Sequence, residues 1–220
     1  MSYFTIKDES REEFEEKKSI FIGHAKRVHT EEDARAFVDK IKEEFKDARH
    51  NVYAYIIGEN MGIQRYTDDG EPQGTAGVPV LDVMKKNGVT DVAIVVTRYF
   101  GGILLGTGGL VRAYSKAAAM AVEKAGIVEK VKGLPLKINI DYDLLGKVQY
   151  VCGQNLWHME DTEYTDKVSI LILTESSNCD NIKNKITEAT SGKAEFIEGK
   201  EHYYFKMENR LYKDDDEQYQ

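Results

Sequence analysis

The residues most able to do chemistry lie in one glycine-rich stretch, residues 97–112. Five of its sixteen residues are glycine, and Arg98 and Arg112 flank the glycines, with Lys116 one helical turn further on. Glycine turns at positive φ and lets another group approach closely, and the free N–H groups of a helix start attract anions. The stretch therefore predicts a phosphate site. Its candidate glycines are Gly101, Gly102, Gly106, Gly108 and Gly109.

The stretch matches neither common nucleotide-binding motif. No Gly-Lys-Ser/Thr follows the glycines, and Val111 stands where a dinucleotide fingerprint needs a small residue. The alternative is a turn that lets a helix pack tightly on its sheet. Tyr99 and Phe100 leave a similar choice, because aromatic residues beside basic ones can stack bases, whereas Phe100 could equally plug the core at a strand end.

A polar loop at residues 68–77 holds the carboxylates of Asp68, Asp69 and Glu71. They could bind Mg²⁺ or Ca²⁺, but the spacing of an EF-hand loop is absent. They could instead cap the following helix or pair with an arginine, and we favour this second role. The candidate partners are Arg65, Arg98 and Arg112.

The histidines and cysteines predict no metal site, no cofactor and no catalytic group. None has the spacing of zinc ligands. His50 precedes a strand and is at most an accessory to the phosphate site, since Ser115 lacks the elbow motif of a hydrolase. Cys152 and Cys179 are too few for a disulfide framework, which favours a reducing, cytoplasmic setting.

The charge is unevenly distributed. The chain carries a net charge of −8, which argues against a protein that coats polyanions non-specifically. Residues 85–132, however, contain eight basic and three acidic residues, and they include the glycine-rich stretch. The apolar runs are far shorter than the roughly 18 residues of a membrane span, so no membrane partner is expected.

Hydrophobic periodicity predicts an α+β protein of two domains. The first, residues 1–132, contains a helix that Thr30 caps and a nearly continuous apolar strand at 92–98, typical of a strand covered on both faces. The predicted elements are strands at 19–28, 51–57, 63–66, 92–98 and 128–132 and helices at 30–46, 79–86 and 110–125.

The second predicted domain, residues 133–206, follows a boundary at residues 133–135, Gly-Leu-Pro. Its order is strand, helix, strand, strand, helix, strand, which is typical of a ferredoxin-like βαββαβ domain. The last strand is expected at 194–204. Residues 207–220 are expected to form an acidic, flexible tail.

Three blocks of the chain strongly resemble the IMPACT/YigZ family. They are DARHNVYAY at 47–55, DDGEPQGTAG at 68–77 and VTRYFGGILLGTGGLVRAY at 96–114. Departures are small: Arg49, Val52 and Thr67 stand where Thr, Cys and Ser are common. The resemblance extends over essentially the whole chain of a bacterial member.

This resemblance implies a fold for each domain. The first is expected to be similar to domain 2 of ribosomal protein S5, and the second to the ferredoxin-like domains of elongation factors such as elongation factor G. Eukaryotic relatives regulate translation by competing for the activator of an initiation-factor kinase. They carry an additional RWD module for that role, to which no part of this sequence corresponds.

The leading hypothesis is a non-enzymatic, translation-associated regulator that binds RNA, the ribosome or a translation factor. Arg98, Arg112, Lys116 and the loop glycines would contact phosphate, with Tyr99 or Phe100 stacking a base. One alternative is a nucleotide- or phosphate-binding enzyme, kinase- or hydrolase-like, in which Asp68 and Asp69 hold a metal. Another is a protein–protein interaction module.

Overall fold

The computed structural model describes residues 2–214 and divides into two compact units. The first is Tyr3–Val128, and the second combines Ser2 with the chain from Glu129 onward. The elements up to the end of the first unit are β1 (Ser2–Ile6), β2 (Ser10–Glu16), β3 (Ser19–Arg27), α1 (Glu31–Glu44), β4 (His50–Ile57), β5 (Ile63–Thr67), α2 (Gly77–Asn87), β6 (Val92–Tyr99) and α3 (Thr107–Ala125).

The first unit is built on an antiparallel sheet with the strand order β2-β3-β6-β4-β5. Its central strand, β6, is buried on both faces, as its apolar run predicted. Val92, Ile94 and Val96 join the core that contains α2 and α3, whereas Ala93 and Val95 join the core that contains α1. Because side chains alternate along a strand, the even-numbered residues of β6 face α2 and α3, and the odd-numbered residues face α1.

Helix α1 begins where its sequence predicts. The hydroxyl of Thr30 accepts a hydrogen bond from the Asp33 N–H at 3.1 Å, and the Asp33 carboxylate accepts one from the Thr30 N–H at the same distance. These two bonds form a capping box, which satisfies two N–H groups that a helix start leaves without partners. They also lower the pKa of Asp33.

The second unit packs two helices on an antiparallel sheet with the order β12-β11-β7-β9-β8, with β10 also paired to β7. Its core contains residues from β7, β9 and both helices. The elements are β7 (Ile127–Ile140), α4 (Leu145–Gln154), β8 (Met159–Tyr164), β9 (Val168–Glu175), α5 (Cys179–Ala189), β10 (Glu195–Glu198), β11 (His202–Met207) and β12 (Arg210–Tyr212).

The sequence predicted one strand that ends at residue 132 and another that begins after residues 133–135, but β7 passes through these residues without interruption. On one edge of β7, pairing with β11 ends at Gly133 and pairing with β10 begins at Leu136. Pro135 lies between them, so its missing N–H interrupts no ladder on that edge. Gly133 is required by close packing: a Cβ there would lie 2.7 Å from the Thr174 carbonyl oxygen.

Two further expectations are corrected in this unit. The strand expected at 194–204 is divided into β10 and β11, which both pair with β7. The flexible tail expected from residue 207 instead contains strand β12, which pairs with β11 and buries Leu211. Residues 215–220 of that tail lie outside the described residues. Within residues 2–214, no helix is both long and apolar enough to cross a membrane.

Acidification is expected to destabilise the protein through His24 in β3. This side chain is 3% exposed, and burial, aided by the charge of Arg11, lowers its pKa from 6.5 to about 4. The unfolded chain binds the proton near pH 6.5 and the native state only near pH 4. The free energy of unfolding therefore falls as the pH falls through this window, by on the order of 3 kcal/mol.

Urea unfolding at pH 7 and at pH 4.5 measures this effect. A His24→Leu variant is expected to lose this part of the pH dependence. The matched control is His158→Gln, which removes an exposed histidine and is expected to keep it. An unchanged pH dependence in His24→Leu would assign the effect to other groups.

Candidate functional site

The glycine-rich loop connects the end of β6 to the start of α3. The helix begins at Thr107, three residues before the predicted start, and Gly106 caps it with φ 73°, a conformation that favours glycine. At Gly101 a Cβ would lie 2.0 Å from the carbonyl carbon and oxygen of Lys18. The loop therefore packs directly on the backbone of the turn between β2 and β3.

That turn consists of Lys17 and Lys18, with φ 49° and 63°. Two-residue hairpin turns favour this left-handed region, but Asn and Gly are the residues that usually supply it. Ser19 fastens the turn to the loop, because its hydroxyl accepts a hydrogen bond from the Gly101 N–H at 3.2 Å. The packing holds two exposed lysines in a conformation that lysine rarely adopts.

Arg98 is buried rather than presented to solvent. The alternation along β6 places it on the same face as α3, where it is 5% exposed. Its Nη1 donates a hydrogen bond to Glu71 Oε1 at 2.5 Å. Of the arginine partners considered for the acidic loop, Arg98 is the one that binds Glu71.

Glu71 is the acceptor at the centre of this network. The same Oε1 accepts a hydrogen bond from the Tyr114 hydroxyl at 2.7 Å, and His50 Nε2 lies 3.8 Å away. Burial and the Glu71 charge raise the pKa of Tyr114, so this hydroxyl keeps its proton and donates it. A buried carboxylate is thus neutralised by Arg98 and hydrogen-bonded by Tyr114.

Asp68 caps helix α2, the other role considered for the acidic loop. Its Oδ1 accepts hydrogen bonds from the N–H groups of Ala76 and Gly77 at 3.1 and 2.8 Å. Its Oδ2 accepts one from the Gly74 N–H at 2.8 Å. Both oxygens therefore bind the backbone at the helix start, where a negative charge is stabilising.

Asp69 joins the loop to β4. Its Oδ2 accepts a hydrogen bond from the Asn51 N–H at 2.6 Å, and its Oδ1 lies 3.6 Å from Lys42 Nζ. Across residues 2–214, no group of three or more His, Cys, Asp or Glu side chains is placed to hold a metal ion. The acidic loop organises the surrounding backbone.

His50 is fixed by the same loop. Its Nδ1 lies 2.7 Å from the Asp69 carbonyl oxygen, which can only accept, so Nδ1 carries the proton and donates it. The Nε2 atom is left to accept a hydrogen bond in the neutral ring. In the protonated ring it donates instead, with Glu71 as the nearby carboxylate.

Tyr99 and Phe100 have different environments. The Tyr99 hydroxyl donates a hydrogen bond to Asp47 Oδ1 at 2.9 Å, and its ring packs against the core beside α1. Phe100 is 41% exposed, and the guanidinium groups of Arg49 and Arg98 lie 5.8 and 5.5 Å from its ring centroid. Phe100 is therefore the more exposed aromatic residue of the pair.

Arg112 and Lys116 are exposed on α3 and line one groove together with Lys17. The groove has a volume of about 250 Å³, and the Lys116 ammonium lies 4.3 Å from the ring centroid of Phe14 at its side. We call Lys17, Lys18, Arg112 and Lys116 the basic surface.

Of the remaining candidate residues, the glycines lie in the loop and the start of α3, and Arg65 lies on β5. Gly102 and Gly108 are exposed in the loop and the first turn of α3, and Gly109 lines the groove. Arg65 is not part of the site. It lies on β5, where its Nε is 3.6 Å from Glu31 Oε1 at the start of α1.

A cavity of about 400 Å³ opens beside the loop, and we call it the loop cavity. Its polar lining includes Arg49, His50, Glu71 and Arg98, and its apolar lining is formed by Phe100 and leucines of the loop and α3. The first residues of α3 close one side. The full lining is Arg49, His50, Gly70, Glu71, Pro72, Arg98, Phe100, Leu104, Leu105, Gly106, Thr107 and Leu110.

Reasoning from the sequence missed several residues of this region. Lys17 and Lys18 connect β2 to β3, but the charged sequence of β2 gives no strand signal and two lysines are not a turn signal. Arg49 and Tyr114 were noted only as parts of the family blocks. Nothing in their local pattern indicates that they face the loop cavity or Glu71.

A mixed α+β chain of two units, in which Glu71 of the acidic loop binds Arg98 of the glycine-rich stretch, defines the class of protein. Two family models match it: the Impact N-terminal domain at residues 17–122 and a domain of unknown function, DUF1949, at 138–193. The chain belongs to the IMPACT family.

Relatives from bacteria are similar over most of the chain. IMPACT family member YvyE of Bacillus subtilis is 41% identical over 210 residues, covering 96% of this chain and 97% of that protein. IMPACT family member YigZ of Escherichia coli is 32% identical over 183 residues, covering 82% and 90%. Protein IMPACT of Xenopus laevis is 37% identical over 100 residues, covering 43% of this chain and 31% of that protein.

A solved structure has a similar two-domain fold. It is a crystal structure described as that of a hypothetical protein, with 30% sequence identity and a TM-score of 0.58. The match covers 89% of this chain and 96% of that chain.

Proposed function

We propose that this protein binds RNA through the basic surface, as a non-enzymatic protein associated with translation. The observation that carries the proposal is the convergence of three exposed cations, Lys17, Arg112 and Lys116, on one groove. The protein as a whole has a net charge of −8, so this convergence is local and opposite in sign to the whole. Phosphate contacts by lysine and arginine supply most of the affinity in such interfaces.

The start of α3 supports the same ligand. Its first turn contains no acidic residue, and Gly106 and Gly108 leave the backbone open to solvent. A helix start of this kind stabilises a phosphate through its N–H groups and its dipole. Glu16 also lines the groove and opposes an anion there, but the three cations outnumber it.

The buried position of Arg98 changes which residues are proposed to contact phosphate. Arg98 is paired with Glu71, so its role in the proposal is to support the loop and not to bind the ligand. The exposed residues of the basic surface take its place. An Arg98→Ala variant is for this reason an unsuitable test, because it would leave the Glu71 charge buried without its partner.

The proposal extends to the folds of the two units. The strand order β10-β7-β9-β8, with α4 and α5 in the connections, supports a ferredoxin-like second unit. For the first unit we propose the domain 2 fold of ribosomal protein S5, on the resemblance of its sequence blocks. By analogy, both folds favour a partner in translation.

The test is the salt dependence of binding to a fluorescent single-stranded oligoribonucleotide. An Arg112→Ala, Lys116→Ala double variant is expected to bind roughly tenfold more weakly at 0.1 M salt. It is also expected to reduce the slope of log affinity against log salt by roughly 1.4, since each phosphate contact contributes about 0.7.

The matched control is a Lys85→Ala, Lys86→Ala double variant, which removes two exposed cations from α2 of the same unit. This variant is expected to keep the affinity and slope of the wild type. Equal losses in the two double variants would mean that only net charge matters. Wild-type binding by the α3 variant would contradict the proposal.

A further inference from the structure

We infer that the loop cavity receives one unstacked nucleotide unit, with its phosphate at the start of α3 and its base against Phe100. The inference rests on the proposed RNA binding and names the part of the ligand that the cavity takes. A nucleotide combines a phosphate anion with a flat group of largely apolar faces. The lining of the cavity matches both parts of this chemistry.

The polar side of the cavity suits a phosphate. Gly106 and Thr107 present the start of α3, and the Arg49 guanidinium and the imidazole of His50 line the same space. The orientation of His50 is set, because its Nδ1–H donates to the Asp69 carbonyl. An N–H-rich helix start and a cation together form an anion site, and His50 adds a donor to it only as a protonated ring, since the Nε2 of the neutral ring accepts.

Arg98 supplies an independent indication of a ligand. It lines the cavity while 5% exposed, and its Nε has no hydrogen-bond partner among the described residues. A buried donor of a charged group that remains unsatisfied is costly, and a bound acceptor removes that cost. The only carboxylate in the lining, that of Glu71, is already neutralised by Arg98 itself.

The apolar part of the cavity lining suits a base. Phe100 is 41% exposed, and Leu104 is 82% exposed beside it, so the loop displays apolar surface at the cavity mouth. The volume of about 400 Å³ lies within the range of pockets for small organic ligands. A base that stacks on Phe100 would cover this surface and continue into the phosphate site.

The experiment compares three probes on the full chain. They are a uridine hexanucleotide, an abasic ribose-phosphate strand of equal length and charge, and free uridine monophosphate. The wild type is expected to bind the hexanucleotide roughly tenfold more tightly than the abasic strand, because stacking of one base is worth this much. A Phe100→Ala variant is expected to lose this difference while it binds the abasic strand as the wild type does.

Two control variants make the result specific. Phe100→Tyr keeps the ring and is expected to keep the preference for bases. Phe4→Ala removes a phenylalanine that is 47% exposed and lies outside the cavity lining, and it is expected to leave the affinities for all three probes unchanged.

Backbone amide signals of Gly106 and Thr107 in NMR spectra are expected to shift with uridine monophosphate.

Free nucleotide and RNA are separated by the third probe. Weak binding of uridine monophosphate, with tight binding of the hexanucleotide, supports the inference with RNA as the source. Binding of the two with equal affinity, sensitive to Phe100→Ala, supports it with free nucleotide as the source. Equal binding of the hexanucleotide and the abasic strand overturns it and leaves the proposed RNA binding intact.

The same probes also recognise the opposite result, in which RNA binding fails and the nucleotide site remains. If neither strand binds but uridine monophosphate shifts Gly106 and Thr107, the proposed RNA binding is wrong and the nucleotide site stands. If none of the three probes binds the wild type, both are overturned.

Discussion

Replacing Glu71 with alanine is expected to lower the free energy of unfolding by about 3–5 kcal/mol, the largest effect of any single change in the acidic loop. The variant leaves the Arg98 guanidinium buried at 5% exposure without its counter-charge, and it removes the acceptor of the Tyr114 hydroxyl. Removal of one partner of a buried ion pair costs about this much, because the remaining charge has no solvent to stabilise it. Urea unfolding monitored by circular dichroism measures the change.

Two further variants isolate this cause. Glu13→Ala removes an exposed carboxylate from β2 and is expected to change the free energy of unfolding by less than about 0.5 kcal/mol. Glu71→Leu combined with Arg98→Met is expected to recover much of the loss, because neither charge then remains buried. A double variant as unstable as Glu71→Ala would show that packing, and not the uncompensated charge, is the cause.

Replacing Gly101 with alanine is expected to destabilise the protein by about 2–3 kcal/mol and to displace the turn that carries Lys17 and Lys18. The added Cβ would lie 2.0 Å from the Lys18 carbonyl group and 2.5 Å from the Ser19 nitrogen. These are backbone atoms, so the clash cannot be relieved by rotation of a side chain, and overpacking has a cost of this size. Thermal or urea unfolding gives the stability, and amide NMR shifts of residues 17–19 report the displacement.

Gly108→Ala, in the first turn of α3 after the glycine-rich loop, is the matched control. A Cβ at Gly108 meets only Arg112 Nη1 at 3.7 Å, an ordinary contact. Because alanine favours helix more than glycine, this variant is expected to be up to about 1 kcal/mol more stable than the wild type. A Gly101→Ala variant with the stability of Gly108→Ala would mean that the turn between β2 and β3 adjusts without cost.

The acidic loop shows how much of a site the local sequence pattern can predict. Its composition predicted pairing or capping in preference to metal binding, and the three carboxylates do pair and cap. The pattern gave three possible arginine partners for the loop and could not choose between them. The choice of Arg98 for Glu71 depends on the face of β6 that α3 covers, and this is a property of the assembled sheet.

The same limit explains the corrections. Gly133 and Pro135 predict a break when they are considered with their neighbours alone. They are accommodated in β7 because Pro135 lies between two partner strands and because Gly133 allows Thr174 to approach closely. The two partner strands and Thr174 are far from residues 133–135 in sequence, so the residues around this position cannot show that β7 continues.

What the sequence determined by itself is the set of features whose causes lie within a few residues. The capping box of Thr30 and Asp33, the apolar run of β6 and the family blocks around the glycine-rich loop are of this kind. The tertiary structure decided which glycine is essential for packing, which arginine is buried and which lysines join Arg112 at the groove. These depend on contacts between residues 27 to 100 positions apart, and the order of strands in the sheet, which no local pattern specifies, brings them together.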